Sequence, residues 1–446
     1  MINKLRRQLA SPELALRLEK LAGNAPASAP LSLHLDLDET DTDWLHWLPA
    51  NSPFWYRAQP AHQTFRLGIG HALHITSAGN NRFAALGNAF TGFCQQWRRE
   101  GQAIVFSGFA FDDNSSNTSF PNALLAIPAI LLENINGHCS ATLSTPAGRR
   151  QQAVADWLHY LNQPSRPSSP EILASYPEIL AERAWMARSN AALRDIQAGR
   201  VDKIVLSRRR KIIARQAFSA APILARLLDQ QGASLVYAHG NGEQVFLGAT
   251  PERLVRLQGK QLSADALAGT AWPDSMALAS EKNRHEQSLV VRAVYEALSP
   301  LCAHLPQISP VQAHSAGHLM HLRSKITATV QTGTSLFDLV RALHPTPAVG
   351  GFPAAAALAW LTAHGEQRPA WYSGGFGLLS PDGDGEFSVA LRSALLQRNT
   401  AELHAGAGIV AGSEPQQELA ETEAKFGTLL AALRPTIVSS KNGTIG

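Results

Sequence analysis

Beyond a Pro/Ser-rich loop, NQPSRPSSPE at 162–171, the chain keeps switching between apolar repeats of period two and repeats of helical period. Glycine-centred turns separate these segments. A chain patterned this way has to pack sheets against helices, so it reads as a mixed α/β (α+β) fold. Helices are expected over 177–199, 279–298, 354–364 and 415–433, and the segments LQGKQ and PDGDGE read as hairpin turns. Upstream of the loop, TFRLGIGHALHIT and AIVFSGFAF read as strands, and FAALGNAFTGFCQQWRREG as an amphipathic helix ending at Gly101. The 162–171 loop is therefore the best boundary between a sheet-rich scaffold lobe, 1–165, integral to the same fold, and a second region over 166–436. Residues 437–446 form a tail. No period of 20–50 residues recurs, which excludes a repeat protein.

At 446 residues the chain exceeds what one simple core supports, so one large elaborate domain or two is expected. No run of 18 apolar residues could cross a membrane, and MINKLRRQLASPE lacks the apolar core of a signal peptide; a cytoplasmic protein without a membrane partner is expected. Cys94, Cys139 and Cys302 lie far apart with no CxxC spacing and read as free, mostly buried thiols. The net charge of +4 and pI of about 9.0 raise the question of nucleic acid. The one dense basic run, Arg208–Arg209–Arg210–Lys211, falls within an alternating strand and reads as a solvated sheet face, which argues against a nucleic-acid partner. An anionic small substrate accounts for the basic excess equally well.

Several segments carry chemistry in unexpected places. In LASEKNRHEQSLVVRAVYEAL, Glu286 shares one helix face with Leu289, Val290, Ala293 and Ala297. A carboxylate on a core-facing stripe needs a cation or donors, although a plain salt bridge or a helix-boundary position would satisfy the same pattern. In GAGIVAGSEPQQELAETEAKFGTLLAAL, Ser413 reads as an N-cap with Gln416 completing a capping box. Glu418, Glu421 and Lys425 then share one face beside Phe426, Leu429 and Leu433. Surface charge pairing is one reading of that face; together with Glu286, the acids could also supply oxygen ligands to a hard cation such as Mg²⁺.

DKIVLSRRRKIIA places Lys203, Val205 and Ser207 on one side of a strand, with Lys203 at its start: an edge lysine, or a partly buried base. The strand VFLGA then runs into a Thr250–Pro251 turn, putting Glu252 at the next strand's start. Glu252 is either paired with Arg253 or an acid at a site rim. In ALAGT, Gly269 beside Thr270 allows close backbone approach to a ligand.

DKIVLSR, GATPERL, ALAGT, KNRHEQSLVV, HLRSKI, LHPTPAVGGFP, WYSGGFG, FSVALRSA, HAGAGIVAGSEP and ELAETEAK, in that order, resemble the chorismate-utilising enzymes over roughly residues 200–435. That family includes the anthranilate, aminodeoxychorismate, salicylate and isochorismate synthases. The resemblance implies an anthranilate synthase component I-like fold, a large two-sheet core with helices packed outside, and makes 166–436 the chorismate-binding catalytic region. It implies that Glu286 and Glu421 hold Mg²⁺, with Glu418 assisting through water. Arg392 and Tyr372 would grip the substrate's pyruvyl carboxylate, with Gly406, Gly408 and Lys425 adding carboxylate contacts. His321 and Thr346 would line the ring pocket, near Gly269 and Thr270. Arg392 alternates with Ala390 and Ala394, as a buried cation awaiting an anion.

Two positions separate the members. Lys203 stands where the amine-transferring synthases resemble each other in carrying glutamine, which points to water as nucleophile. Ala268 stands where aminodeoxychorismate synthases carry a nucleophilic lysine. The resemblance thus implies an isomerase acting on chorismate as its small-molecule substrate, with Lys203 as base and Glu252 as acid and without a redox cofactor. Salicylate formation is the nearest alternative, and a monomer or homodimer is expected.

Overall fold

The computed structural model describes residues 2–37, 44–113, 120–165, 167–168, 170–176, 179–272, 276–316 and 319–434. The tail expected at 437–446 lies outside them, as do Pro177 and parts of the 162–171 loop. The described strands form two sheets, one of 13 strands and one of 10. Strands from both sides of the 162–171 loop pair within each sheet. In the larger, Pro53–Gln59 pairs with Leu235–Asn241; in the smaller, Val105–Phe109 pairs with Gly375–Leu379.

The two sheets face each other across an aromatic layer. Trp55 of the larger sheet stacks on Phe106 of the smaller at 5.4 Å between ring centroids, and Tyr237 meets Phe376 at 5.1 Å. Trp371, fully buried, lies against Trp55 at 5.7 Å and His239 at 5.0 Å, and its indole N–H donates to Pro121 O at 2.9 Å. Helices cover the outer faces. Pro12–Ala22, Ala153–Leu161, Ala220–Gln230 and Pro415–Leu433 contribute to the core behind the larger sheet. Arg82–Gln96, Glu281–Leu298, Leu336–Leu343 and Ala354–Ala363 contribute to the core beside the smaller one. Among the described residues no helix is long and apolar enough to cross a membrane. The architecture is the mixed α/β, two-sheet fold that the resemblance implies.

Four local expectations need correction. The helix expected to reach Gly101 stops at Gln96, because Arg98 and Arg99 pair in parallel with Leu31 and Ser32 at the edge of the larger sheet. TFRLGIGHALHIT divides at Gly70, Thr64–Ile69 joining the larger sheet and Leu73–Ser77 the smaller. The capping box at Ser413 does not form: Glu414 is the N-cap ahead of Pro415, and Ser413 Oγ instead accepts the Val410 amide at 3.1 Å. The run 208–211 is not uniformly solvated, since Arg208 is buried and donates to Thr422 Oγ1 and Glu423 Oε1. None of the three cysteines is in a disulfide, and Cys139 and Cys302 are buried and Cys94 half-buried.

The aromatic layer sets the spacing between the sheets. Trp371→Ala, which removes a fully buried indole and orphans the Pro121 carbonyl, should cost about 3–5 kcal/mol. A lowered midpoint in urea denaturation with unchanged slope is the expected result.

Candidate active site

The chain crosses between the two sheets at neighbouring joints, and these joints build the site. Gln244–Thr250 belongs to the larger sheet and Arg253–Gln258 to the smaller, so Pro251 and Glu252 form one crossing. Gly385–Val389 belongs to the smaller sheet and Ser393–Gln397 to the larger, so Leu391 and Arg392 form a second. The crossings are laced together: the Val389 amide donates to Glu252 O at 3.0 Å and the Ala249 amide to Arg392 O at 3.3 Å. Arg392 is therefore not a strand residue as its spacing suggested. It adopts φ 50°, a left-handed conformation costing about 1–3 kcal/mol in a non-glycine residue.

A cavity of roughly 710 Å³ opens at this junction, and Lys203, Glu252, Glu286, Arg392, Glu421 and Lys425 are among its walls. Lys203 begins the strand Lys203–Ala214, with Val205 beside Gly408 and Ser207 beside Gly406 in the neighbouring Thr400–Val410 strand. A Cβ at Gly408 would lie 2.7 Å from both Glu286 Oε1 and Lys203 Cε, so only glycine leaves room for this pair. Glu286 comes from the Glu281–Leu298 helix, whose start is capped by Ser280. Gln287 Nε2 on the same helix donates to Ala266 O at 3.0 Å, which anchors the helix on the smaller sheet. Glu421 and Lys425 come from Pro415–Leu433, the last helix of the described chain.

Every acid of the expected metal set holds a lysine. Lys203 Nζ lies 2.8 Å from Glu286 Oε1, and Lys425 Nζ lies 2.6 Å from Glu421 Oε1. Lys282 pairs with Glu418. Lys203 is 1% exposed, so its ion pair with Glu286 is largely shielded from water. Thr270 adds a hydrogen bond to Glu421, which Lys425 holds below the usual carboxylate range despite burial. Glu418 behaves oppositely: burial first, then the Glu421 charge, push it up to about 7 even with Lys282 in contact.

Glu252 is buried and is not paired with Arg253, which binds Glu386 Oε2 at 2.9 Å instead. Burial raises the Glu252 carboxyl to about 8, against the lowering influence of Lys203 and Lys425. His321 is driven down to about 3 by burial and by Arg392 and Lys425, so its ring is neutral. Its Nδ1 lies 3.0 Å from Gly269 O, an acceptor only, and must carry the proton. Nε2 is then free to accept from Arg392 Nη2 at 3.2 Å. Gly269 can supply that carbonyl because it adopts φ 66° at a bulge opposite the Leu319–Thr329 strand. Arg392, lowered to about 10 by burial, stays cationic at neutral pH. Tyr372, pushed up to about 12 by burial, stays a phenol.

The cavity brings together Lys203, Glu252, Glu286, His321, Tyr372, Arg392, Gly406, Gly408, Glu421 and Lys425, and Ala268 also lines it. Glu418, Gly269 and Thr270 stand behind the wall and act on residues within it. Thr346 is not a lining residue. It is buried, and its carbonyl accepts the Val349 and Gly350 amides at 3.1 and 2.8 Å, so that Ala348 and Val349 face the cavity in its place.

Two side chains escaped the sequence reading. His404 lines the cavity and stacks on Tyr372 at 5.1 Å; the period of two that links Gly406 and Gly408 also reaches it. Lys282, four residues before Glu286, faces Glu418, Glu286 and Glu421 together. Helical spacing from Glu286 was the available signal.

Residues 19–434 match the family described as chorismate binding enzyme. The "salicylate biosynthesis isochorismate synthase" of Pseudomonas aeruginosa is 33% identical over 416 residues, 87% of this chain and 86% of its own. The isochorismate synthase MenF of Bacillus subtilis is 29% identical over 350 residues, 74% of each chain. Among solved structures, the menaquinone-specific isochorismate synthase MenF from Escherichia coli superposes with a TM-score of 0.79 at 24% identity, covering 94% of this chain and 99% of that one. Anthranilate synthase component I from Streptococcus pneumoniae superposes with a TM-score of 0.61 at 19% identity, covering 80% of each. At those identities the structural matches speak to the fold.

Proposed function

Because the chain belongs to the chorismate-binding enzyme family, we propose that it is an isomerase converting chorismate to isochorismate, adding water at ring carbon 2 and releasing the hydroxyl of carbon 4. One observation carries the reading: a buried lysine and a buried glutamate with a raised pKa open into the same cavity, between Arg392 and Lys425. A dicarboxylate entering this space meets two cations, and between its carboxylates the ring meets a base and an acid.

In this mechanism Lys203 Nζ, as the neutral amine, takes a proton from the attacking water. Glu252, still protonated below about pH 8, gives its proton to the departing hydroxyl, and the ring double bonds shift between the two centres. Opposed protonation states in one pocket are what acid–base pairs require. Transfer of the proton from Lys203 back to Glu252 completes the cycle, so water is consumed and released in equal measure. Arg392, steadied by neutral His321, and Lys425 orient the carboxylates. Tyr372 adds a hydroxyl donor, and Ala348 and Val349 exclude water from the ring's flank.

We read Glu286 and Glu421, with Glu418 behind them, as oxygen donors for Mg²⁺. Among the described residues no three acidic, His or Cys side chains could hold a metal unaided. Mg²⁺ is commonly held by one or two carboxylates with water and substrate oxygens, and Glu286, Glu418 and Glu421 gather here from two helices, all facing Lys282. When bound, the ion supplies positive charge to offset the substrate's ring carboxylate.

The direct test is NMR identification of the product formed from chorismate with Mg²⁺ present. Isochorismate is expected; rapid release of fluorescent salicylate would replace this reading with pyruvate elimination in the same pocket. Lys203→Gln should lower turnover by about 10²–10⁴-fold with chorismate binding retained, and normal turnover in that variant would remove Lys203 as the base.

Since only the protonated Glu252 can donate, turnover should fall as pH rises through about 8. Glu252→Gln should abolish both the rate and this alkaline limb. A wild-type profile flat from pH 7 to about 9 would contradict the acid assignment.

Lys282 occupies the acidic cluster as a tethered cation. Lys282→Gln should tighten Mg²⁺ binding in the absence of substrate by about fivefold, the worth of an ion pair of ~1 kcal/mol. Calorimetric titration reads this without turnover, and weaker binding would show that Lys282 supports the metal rather than competing with it.

A further inference from the structure

A second cavity, of roughly 930 Å³, lies between the sheets and begins one residue along from Glu252. Its walls carry four arginines. Arg57 and Arg66 sit directly opposite each other on adjacent strands of the larger sheet. Arg253 and Arg256 come from the first strand beyond the Glu252 crossing, and Arg256 lies opposite Glu386 in register. Like charges placed directly across a ladder are unfavourable without a counter-charge.

The counter-charge present is meagre. Glu386 alone serves three of the four: it pairs with Arg57 across the gap between the sheets, accepts from Arg253 Nε at 2.9 Å, and is held below the usual carboxylate range chiefly by Arg57, then by Arg253 and Arg256. Arg66 is engaged from behind by Glu133 at 2.7 Å. The other lining acid, Asp384, accepts the Gly259 amide at 2.6 Å. Arg256, at the exposed rim, has only Gln258 Oε1 as a hydrogen-bond partner among the described residues, at 3.1 Å. Guanidinium groups converging on one carboxylate from two sheets retain donors matched to a planar or tetrahedral oxyanion.

We propose that this cavity binds a small molecule bearing two or more anionic oxygen groups, phosphate or carboxylate, with Arg256 and Arg253 as its principal contacts. The site is separate from the chorismate cavity, which shares none of its lining residues. Neutralisation of the Arg256 and Arg253 charges would supply the free energy of binding, so affinity should fall as salt rises.

Calorimetric titration of the full chain, without Mg²⁺, with pyrophosphate and separately with citrate distinguishes the two oxyanion classes. Saturable binding of at least one probe is expected. Arg256→Gln, an exposed substitution compatible with folding, should weaken binding by about tenfold, Arg256→Lys by less, and neither should alter chorismate turnover. The proposal is overturned if neither probe binds at millimolar concentration. It is equally overturned if binding survives Arg256→Gln but is lost in Lys425→Gln, which would place the anion in the chorismate cavity.

Discussion

The structure turns on a buried ion pair. Lys203 and Glu286, 2.8 Å apart, come from a strand and a helix far apart in the chain, and the lysine is 1% exposed. Removing one partner of a pair this shielded leaves the other charge poorly compensated, which is destabilising. The pair fixes where the Glu281–Leu298 helix lies against the Lys203–Ala214 strand. Gly408 is the neighbour whose missing side chain makes that closeness possible.

Around this pair the fold sorts carboxyl groups by environment. Glu421 has Lys425 and Thr270 and stays ionised, whereas Glu252, buried with Asp265 contributing in the same direction, is raised to about 8. Both side chains reach one cavity, so a single pocket holds an ionised acid and a protonated one at neutral pH. Burial raises both carboxyls; at Glu421 the Lys425 contact and the Thr270 hydrogen bond outweigh it, and at Glu252 the influence of Lys203 and Lys425 does not. At the crossings, Glu252 and Arg392 leave the ladders and their side chains turn into the gap.

Much of this was legible in the sequence, and the reasons it was legible are local. Helical periodicity placed Glu286 and the 415–433 helix, and alternation placed Lys203 at a strand's start. What the sequence left open depended on distant partners. Arg208 reads as solvent-facing until Thr422 and Glu423 are brought over it. Arg98 and Arg99 would extend their helix if Leu31 and Ser32 were not there to pair with. Arg392 fits an alternating strand until the crossing forces its backbone to φ 50°. Ser413 and Gln416 satisfy a capping pattern, but Pro415 at the first turn makes Glu414 the cap.

The crossings also explain why the same junction can serve two sheets without becoming loose. Two of the carbonyls at the crossings are taken by amides of the strand leading into the other crossing, Glu252 O by Val389 and Arg392 O by Ala249. Glu252 and Arg392 are therefore fixed to each other through the backbone, independently of any ligand. His321 extends the same logic to the side chains. The Gly269 carbonyl fixes its tautomer, the tautomer presents an acceptor to Arg392, and the guanidinium is oriented before a substrate arrives. Orientation set in advance by the fold lowers the ordering cost of binding, and here it follows from one glycine with positive φ at a bulge.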